Sequence, residues 1–233
     1  MDMGTKGFYD KYWQAEEAVP ERDSTTIQRK KLLMVSLQSL SGSLKLQGVD
    51  NGRKGLKILD AGCGNGEFSE FIKNMGFDVV GIDISVSAVE KAKTRNPGID
   101  FRVHSVEDLL PFNDGEFDVI WSTEVLEHVF DVHACLCQFN RILKPEGQLI
   151  LTVPYHGFIK NMAIALFGFE RHYNPDISHI RFFTKDSIDK CLVRAGFSPI
   201  FWKGIGRYWP LYKSICVVAQ RSGGAGLKRE IIG

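Results

Sequence analysis

Charge of one sign is missing: 29 lysines and arginines meet 28 aspartates and glutamates, leaving a net charge of +1. No whole-chain field therefore draws the protein to nucleic acid, an anionic membrane or an acidic substrate. Long apolar runs are missing as well. None approaches the ~18 residues of a membrane-spanning helix. The N-terminal MDMGTKGFYDKYW has no basic stretch leading into an apolar one, so it does not read as a secretion signal. Cysteine is scarce: Cys63, Cys135, Cys137, Cys191 and Cys216 are odd in number and hold no Cys-x-x-Cys. Cys135 and Cys137, two apart, point to different sides of an expected helix, so neither a disulfide framework nor a cysteine zinc site is expected. These absences lead to the expectation of a reduced, soluble, cytoplasmic protein. The short run Arg29-Lys30-Lys31 reads as the solvated face of a helix.

What is present is an ordinary globular composition, 44% apolar and 24% charged over 233 residues, which suits one α/β domain with some decoration. Residues 8–47 read as helical, first aromatic (Phe8, Tyr9, Tyr12, Trp13), then amphipathic around Leu32, Leu33, Val35 and Leu37. The polar segment GVDNGRKG, residues 48–55, is a connector. Strand patterns then fall at 56–61, 78–82, 100–103, 117–121 and 148–153, with helical patterns at 67–75, 86–95 and 132–143. Such alternation implies right-handed βαβ crossovers and a parallel sheet covered on both faces. It breaks at an aromatic insert, 155–183, and resumes with a helix at 185–195 and strands at 197–203 and 215–220. No helix separates those last two strands, so they are expected to pair antiparallel at one edge. Residues 221–233 read as a Gly-rich, flexible tail.

The strongest local signal is LKILDAGCGNGEF, residues 56–68. An apolar strand runs into Gly62, Gly64 and Gly66, and a helix begins directly after. Glycines there let the backbone turn tightly and let a ligand lie against bare main chain. The dinucleotide fingerprint needs a third glycine at position 67, where this chain has Glu67, and no G-x-x-x-x-G-K-[ST] occurs. The expected ligand is a nucleoside without phosphates. Asp83 ends the second strand 21 residues after Gly62, where an acidic side chain reaches the hydroxyls of a ribose. The helix cap at that point falls to Ser85.

LDAGCGNG, then GIDIS, then SVEDLLPFNDGEFDVIWSTEVLEHV, then RILKPEGQLILTVP resemble, in that order, the class I S-adenosylmethionine-dependent methyltransferases. The likeness covers residues 56–154 and continues more weakly to about residue 220. It implies a Rossmann-like, seven-stranded, mostly parallel, doubly wound sheet with its last strand antiparallel. It also implies S-adenosylmethionine as cofactor and transfer of its methyl group by in-line displacement. Positioning alone can supply on the order of 7–11 kcal/mol to such a step. Carried over by position, Gly62, Gly64 and Gly66 bound the methionine end, Asp60 supports its ammonium and Asp83 holds the ribose. Ser105, Val106 and Glu107 flank the adenine, with Ile84, Ser122 and Tyr12 among the further cofactor contacts. Many relatives have Asp where this chain has Ser105, a weaker acceptor than a carboxylate.

Glu124-Val125-Leu126-Glu127-His128 follows the fourth strand, at the sheet edge where ligands bind in open α/β folds. If helical, it puts Glu124, Glu127 and His128 on one face. The string resembles two metal-using subfamilies, the ubiquinone-biosynthesis O-methyltransferases and the small-RNA 2′-O-methyltransferases. Three readings stay open: His128 as a general base, a divalent cation held by Glu124, Glu127 and His128 with His179 as a fourth ligand, or a pocket wall without chemistry. His179 is also the second candidate base. The insert carries Tyr155, His156, His172, Tyr173 and His179 among phenylalanines and Met162, a lining suited to a small-molecule pocket. An interfacial membrane contact over 158–169 is disfavoured, because only Lys160 is available to its polar side.

The resulting expectation is a methyltransferase acting on a small molecule, through a hydroxyl oxygen of a phenol, sugar or natural product. A macromolecular acceptor, or a nitrogen or carbon of a small molecule, is the alternative. A nucleic-acid partner is not expected, since only Arg29–Lys31 and Arg171 hint at a basic surface. Residues 1–55 form a helical lid and connector, 56–220 the methyltransferase domain with 155–183 as acceptor lid, and 221–233 the tail.

Overall fold

A computed structural model describes residues 3–15, 23–46, 55–168 and 180–222. Two helices precede the sheet, α1 (Met3–Ala15) and α2 (Ser24–Leu46). The single helical stretch expected over 8–47 is therefore two pieces. The connector at 48–55 falls almost wholly outside the described residues, as do His172, Tyr173, His179 and nearly all of the tail.

The alternating pattern becomes β1 (Lys57–Ala61), α3 (Glu67–Asn74), β2 (Asp78–Asp83), α4 (Val86–Arg95), β3 (Asp100–Val103), β4 (Phe117–Thr123), α5 (Val132–Ile142) and β5 (Leu143–Pro154). It closes with α6 (Phe158–Phe167), α7 (Lys185–Arg194), β6 (Phe197–Ile205) and β7 (Ser214–Arg221). The sheet order is β3-β2-β1-β4-β5-β7-β6. Strands β1 to β5 pair in parallel, while β7 runs antiparallel to both β5 and β6. The expected antiparallel edge is thus present, with β7 slotted inside β6. Strand β5 begins five residues before the apolar run at 148, because Leu143 pairs with Phe117 across a register shift.

Alternation along the strands builds two cores. Leu59, Ile120, Leu149 and Val217 face one side and pack under α5 and α7 through Phe139, Ile142, Ile188 and Leu192. Ile58, Val119, Ile150 and Val218 face the other and pack under α2, α3 and α4 through Leu33, Leu37, Ile72 and Val89. A period of two on a sheet covered on both faces produces this division. Helix caps follow local chemistry: Ser85 accepts from the Ala88 N–H at 3.2 Å and Asp131 from the Ala134 N–H at 2.9 Å. With both faces covered, the open polar ends of β1, β2 and β4 are left to make the site.

Candidate functional site

A cavity of about 640 Å³ lies at the C-terminal edges of β1, β2 and β4, with α1 across it. Its floor is the turn after β1. The N–H groups of Gly62 and Cys63 both donate to the Ile82 carbonyl, at 2.8 and 2.9 Å, folding the turn onto β2. Gly62 and Gly64 have φ of 80° and 52°, a left-handed region that costs other residues roughly 1–2 kcal/mol. A Cβ on Gly62 would stand 2.3 Å from Val125, and one on Gly64 2.6 Å from the Trp13 ring. The glycines thus let both the turn and the covering helix approach. Gly66 lies outside the cavity lining and packs against Phe101 and Ala92 instead.

Asp83 lines the cavity at the end of β2. Its Oδ2 accepts from the Gly64 N–H and its Oδ1 from the Ser85 N–H, each at 2.9 Å. Burial raises its pKa, and those backbone donors partly offset the rise. Asp60 sits deeper, outside the lining residues. Its carboxylate accepts from the Ser69 hydroxyl of α3 at 2.6 Å, and burial pushes its pKa up to about 7. Ser105, Val106, Glu107 and Ile84 do line the cavity, with the Ser105 hydroxyl accepting from the Glu107 N–H at 3.1 Å. Ser122 is buried outside the lining, and its hydroxyl has no partner among the described residues.

Helix α1 brings Phe8, Tyr9, Tyr12 and Trp13 to the cavity. It is tied to the start of α4: Asp10 accepts from the Ser85 hydroxyl at 2.7 Å and the Ser87 N–H at 3.3 Å. Lys91 donates to the Trp13 carbonyl. Sequence reasoning missed this latch, since nothing local marks Asp10 as a partner for residues 75 positions away.

The string after β4 is not an α-helix. Glu124 is left-handed, with φ of 52°, and only Leu126–His128 make a 3₁₀ turn. The shared face therefore does not form. The Glu124 carboxylate accepts from the hydroxyls of Thr152 at 2.9 Å and Ser214 at 3.2 Å, and pairs with Arg29 at 3.1 Å. Glu127 is fully buried, and neither carboxylate oxygen has a hydrogen-bond partner among the described residues. Burial, and then the neighbouring Glu124, hold its pKa well above the ordinary range. His128 Nε2 stands 3.8 Å from Glu127 Oε1, and its ring meets Tyr9 edge-on at 5.5 Å. Among the described residues no group of three or more His, Cys, Asp or Glu is gathered to hold a metal ion. With Glu124 already engaged by Arg29 and two hydroxyls, these donors do not fit a divalent cation, and no step is routed through one.

The basic run is solvated only at Lys31. Arg29 lines the cavity, and Lys30 pairs with Glu67 of α3 at 2.8 Å and lies over the Phe71 ring. No described residue of the insert 155–183 lines this cavity. Tyr155 meets Tyr212 edge-on with ring centroids 6.1 Å apart, and the His156 ring contacts Asn161 and Phe182.

A glycine turn without the dinucleotide spacing, a half-buried acid closing β2 and a sheet with β7 alone reversed define a Rossmann-like α/β domain. The family model described as "Methyltransferase domain" matches residues 28–200. The ubiquinone biosynthesis O-methyltransferase of Cereibacter sphaeroides is 34% identical over 160 residues, 65% of this chain and 64% of that one. One from Xanthomonas oryzae is 39% identical over 102 residues, 42% of this chain and 43% of that one. The chain thus spans less than two thirds of the length of these curated relatives. Among solved structures, the Synechocystis magnesium protoporphyrin IX methyltransferase with bound SAH superposes with a TM-score of 0.63 at 19% identity, covering 94% of this chain and 95% of that one. The cyclase SpnF gives 0.62 at 16%, covering 94% and 92%. The chain belongs to the methyltransferase-domain family.

Proposed function

We propose that this chain methylates a hydroxyl oxygen of a small molecule. The observation that carries the reading is that one cavity runs from the glycine turn and Asp83 to Glu127 and His128, so donor and acceptor ends share one enclosure. A fold that also serves a cyclase does not choose the chemistry; the site must. Support for oxygen comes from the relatives, which carry the name O-methyltransferase.

The residues present fit the cofactor. Asp83 is a half-buried carboxylate at a strand end beside bare glycine backbone, suited to two ribose hydroxyls. Ile84 and Ser105–Glu107 wall the side where the adenine belongs. Arg29 is the lining residue with a permanent positive charge and suits a carboxylate. Asp60, one layer down, supports the turn from below through Ser69, and acts on an ammonium through that turn. When bound, the cofactor supplies an electrophilic methyl group. Trp13, Tyr12 and Tyr9 exclude water over it and present π faces to its cationic sulfur.

His128 takes the acceptor's proton at Nε2 as the new C–O bond forms. Imidazole titrates near neutrality, which suits this role. Glu127 Oε1 stands 3.8 Å from that same nitrogen, beyond hydrogen-bond distance. The test is turnover of His128→Ala against pooled metabolite hydroxyls, with and without chelator. A drop of roughly 10²–10⁴ with intact cofactor affinity and no chelator effect is expected. Full activity in the variant defeats the base. Loss on chelation with rescue by a divalent ion replaces it with a metal.

A further inference from the structure

His128 sits in a turn too short to fix itself. The 3₁₀ segment Leu126–His128 has three residues. Its own bonds run from the His128 N–H to the Val125 carbonyl at 3.0 Å and from the Val129 N–H to the Leu126 carbonyl at 3.3 Å. Leu126 and Val129 are buried and hold its apolar side. Carbonyls at the end of such a turn find no partner within it. Those of Glu127, Val129 and Phe130 all go to one neighbour, the segment that leads from the insert into α7. The N–H groups of Ile180 and Arg181 both donate to the Glu127 carbonyl at 3.0 Å. The Arg181 guanidinium donates through Nη2 to the Phe130 carbonyl and through Nε to the Val129 carbonyl. It also lies 5.7 Å from the centroid of the Phe130 ring. The backbone on either side of His128 is thus gripped by one residue.

The grip has a fixed base. Phe183 is buried, bridges Tyr155 in parallel and accepts from the His156 N–H at 2.9 Å. Thr184 caps α7, its hydroxyl accepting from the Ser187 N–H at 3.2 Å. Arg181, two residues before Phe183, is half-buried and does not line the cavity. The other end of the turn is held too, because the Phe130 N–H donates to the Glu107 carboxylate on the cavity wall.

We propose that Arg181 is a positioning residue for proton removal: it clamps the 127–130 turn and so sets where His128 Nε2 stands in the cavity. The inference rests on His128 as the base, through which Arg181 acts. Arginine suits the task, since its planar fork spans two neighbouring carbonyls while its face stacks on an aromatic ring. Lysine supplies the charge without the fork or the plane. Moving a reacting group by ~1 Å can cost about 100-fold in rate. Arg181→Ala frees the carbonyls of Val129 and Phe130 but leaves both backbone bonds to Glu127, so the turn should loosen without unfolding.

The test pairs turnover with the imidazole signal of His128 in the full chain, labelled at histidine for NMR. His128→Ala identifies the peak by its loss. Arg181→Ala should move that peak, since the ring shifts from its edge-on contact with Tyr9, and Arg181→Lys should move it less. Turnover at saturating radiolabelled S-adenosylmethionine, against pooled metabolite hydroxyls, should fall about 10- to 100-fold in Arg181→Ala and recover in part in Arg181→Lys. Melting temperature and S-adenosylhomocysteine affinity should stay near those of the wild type. In a His128→Ala background Arg181→Ala should cost nothing further, because no base is left to position. An unmoved His128 peak would overturn the clamp. A further tenfold loss in the double variant, or a loss of turnover matched by lost affinity or stability, would overturn the positioning role. Full activity in His128→Ala defeats the base and that role with it, while the peak still reports the clamp, so the two failures are told apart.

Discussion

Deleting residues 1–15 separates a covering helix from a core helix. None of residues 6–14 is buried, and Phe8 and Tyr12 are 41% and 48% exposed. The ties to the body are polar and reach solvent: Asp10 to Ser85 and Ser87, Gln14 to Ser87, Lys91 to the Trp13 carbonyl. Exposed contacts of this kind sum to about 1 kcal/mol of global stability, or about 2–4 °C of melting temperature for a chain of this size. The cofactor should feel the loss more. Removing Trp13 from over the glycine turn, with Tyr9 and Tyr12 beside it, takes away π faces worth about 0.5–2 kcal/mol toward a desolvated cation and opens the cavity to water. A total of roughly 1–3 kcal/mol lowers affinity about 5- to 150-fold. Calorimetry with S-adenosylhomocysteine reports the burial contribution and with S-adenosylmethionine the full one, while scanning fluorimetry without ligand gives the stability. A melting temperature lower by more than about 10 °C, with normal affinity in the fraction still folded, would refute the reasoning and make α1 part of the core.

Asp83→Ala should weaken cofactor binding by about 1–3 kcal/mol, because it removes a charged acceptor of hydrogen bonds; unchanged affinity by calorimetry would move the ribose elsewhere. Asp60 imposes a pH dependence on the ligand-free protein. Its pKa is about 7 when folded against 3.8 as a model value, so the folded state keeps a proton that the unfolded chain releases. Stability from this group is fullest below about pH 4, falls as pH rises toward 7, and is level above, with an upper bound of roughly 4 kcal/mol. Asp60→Asn should flatten that slope in urea titrations at pH 5, 6, 7 and 8, and parallel curves for the two proteins would contradict it.

The elements most legible in the sequence were those whose own residues decide them. The Leu56–Ala61 run, the Gly62-x-Gly64-x-Gly66 turn and the acid at 83 carry their structural reasons locally: apolar alternation, positive φ, a strand end. Strands β1 to β4 and helices α3 to α5 accordingly start and stop within a residue or two of their expected bounds. Arg29 shows the limit. Its position on α2 was legible, but the direction it faces depends on how α2 meets the sheet through Leu33 and Leu37. A run of three cations reads as solvated until that packing turns Arg29 toward Glu124 and Lys30 toward Glu67.

The Glu124–His128 string misled for a related reason. Spacing by three and four speaks for one helical face only if the backbone is helical throughout, and Glu124 is not. Its N–H donates to the Thr152 carbonyl at 2.9 Å, so it still belongs to the end of β4 by pairing with β5. A left-handed turn then follows before the 3₁₀ segment begins. Three carriers hold that conformation in place: Thr152 from β5, Ser214 from β7 and Arg29 from α2. Strained backbone persists where surrounding structure over-determines it, and here each partner comes from a different part of the chain. Turning Glu124 aside gives it those partners, while Glu127 stays near enough to feel its charge and lies beside His128. The arrangement of this corner of the cavity thus follows from one residue's backbone, set by three contacts that no local pattern announces.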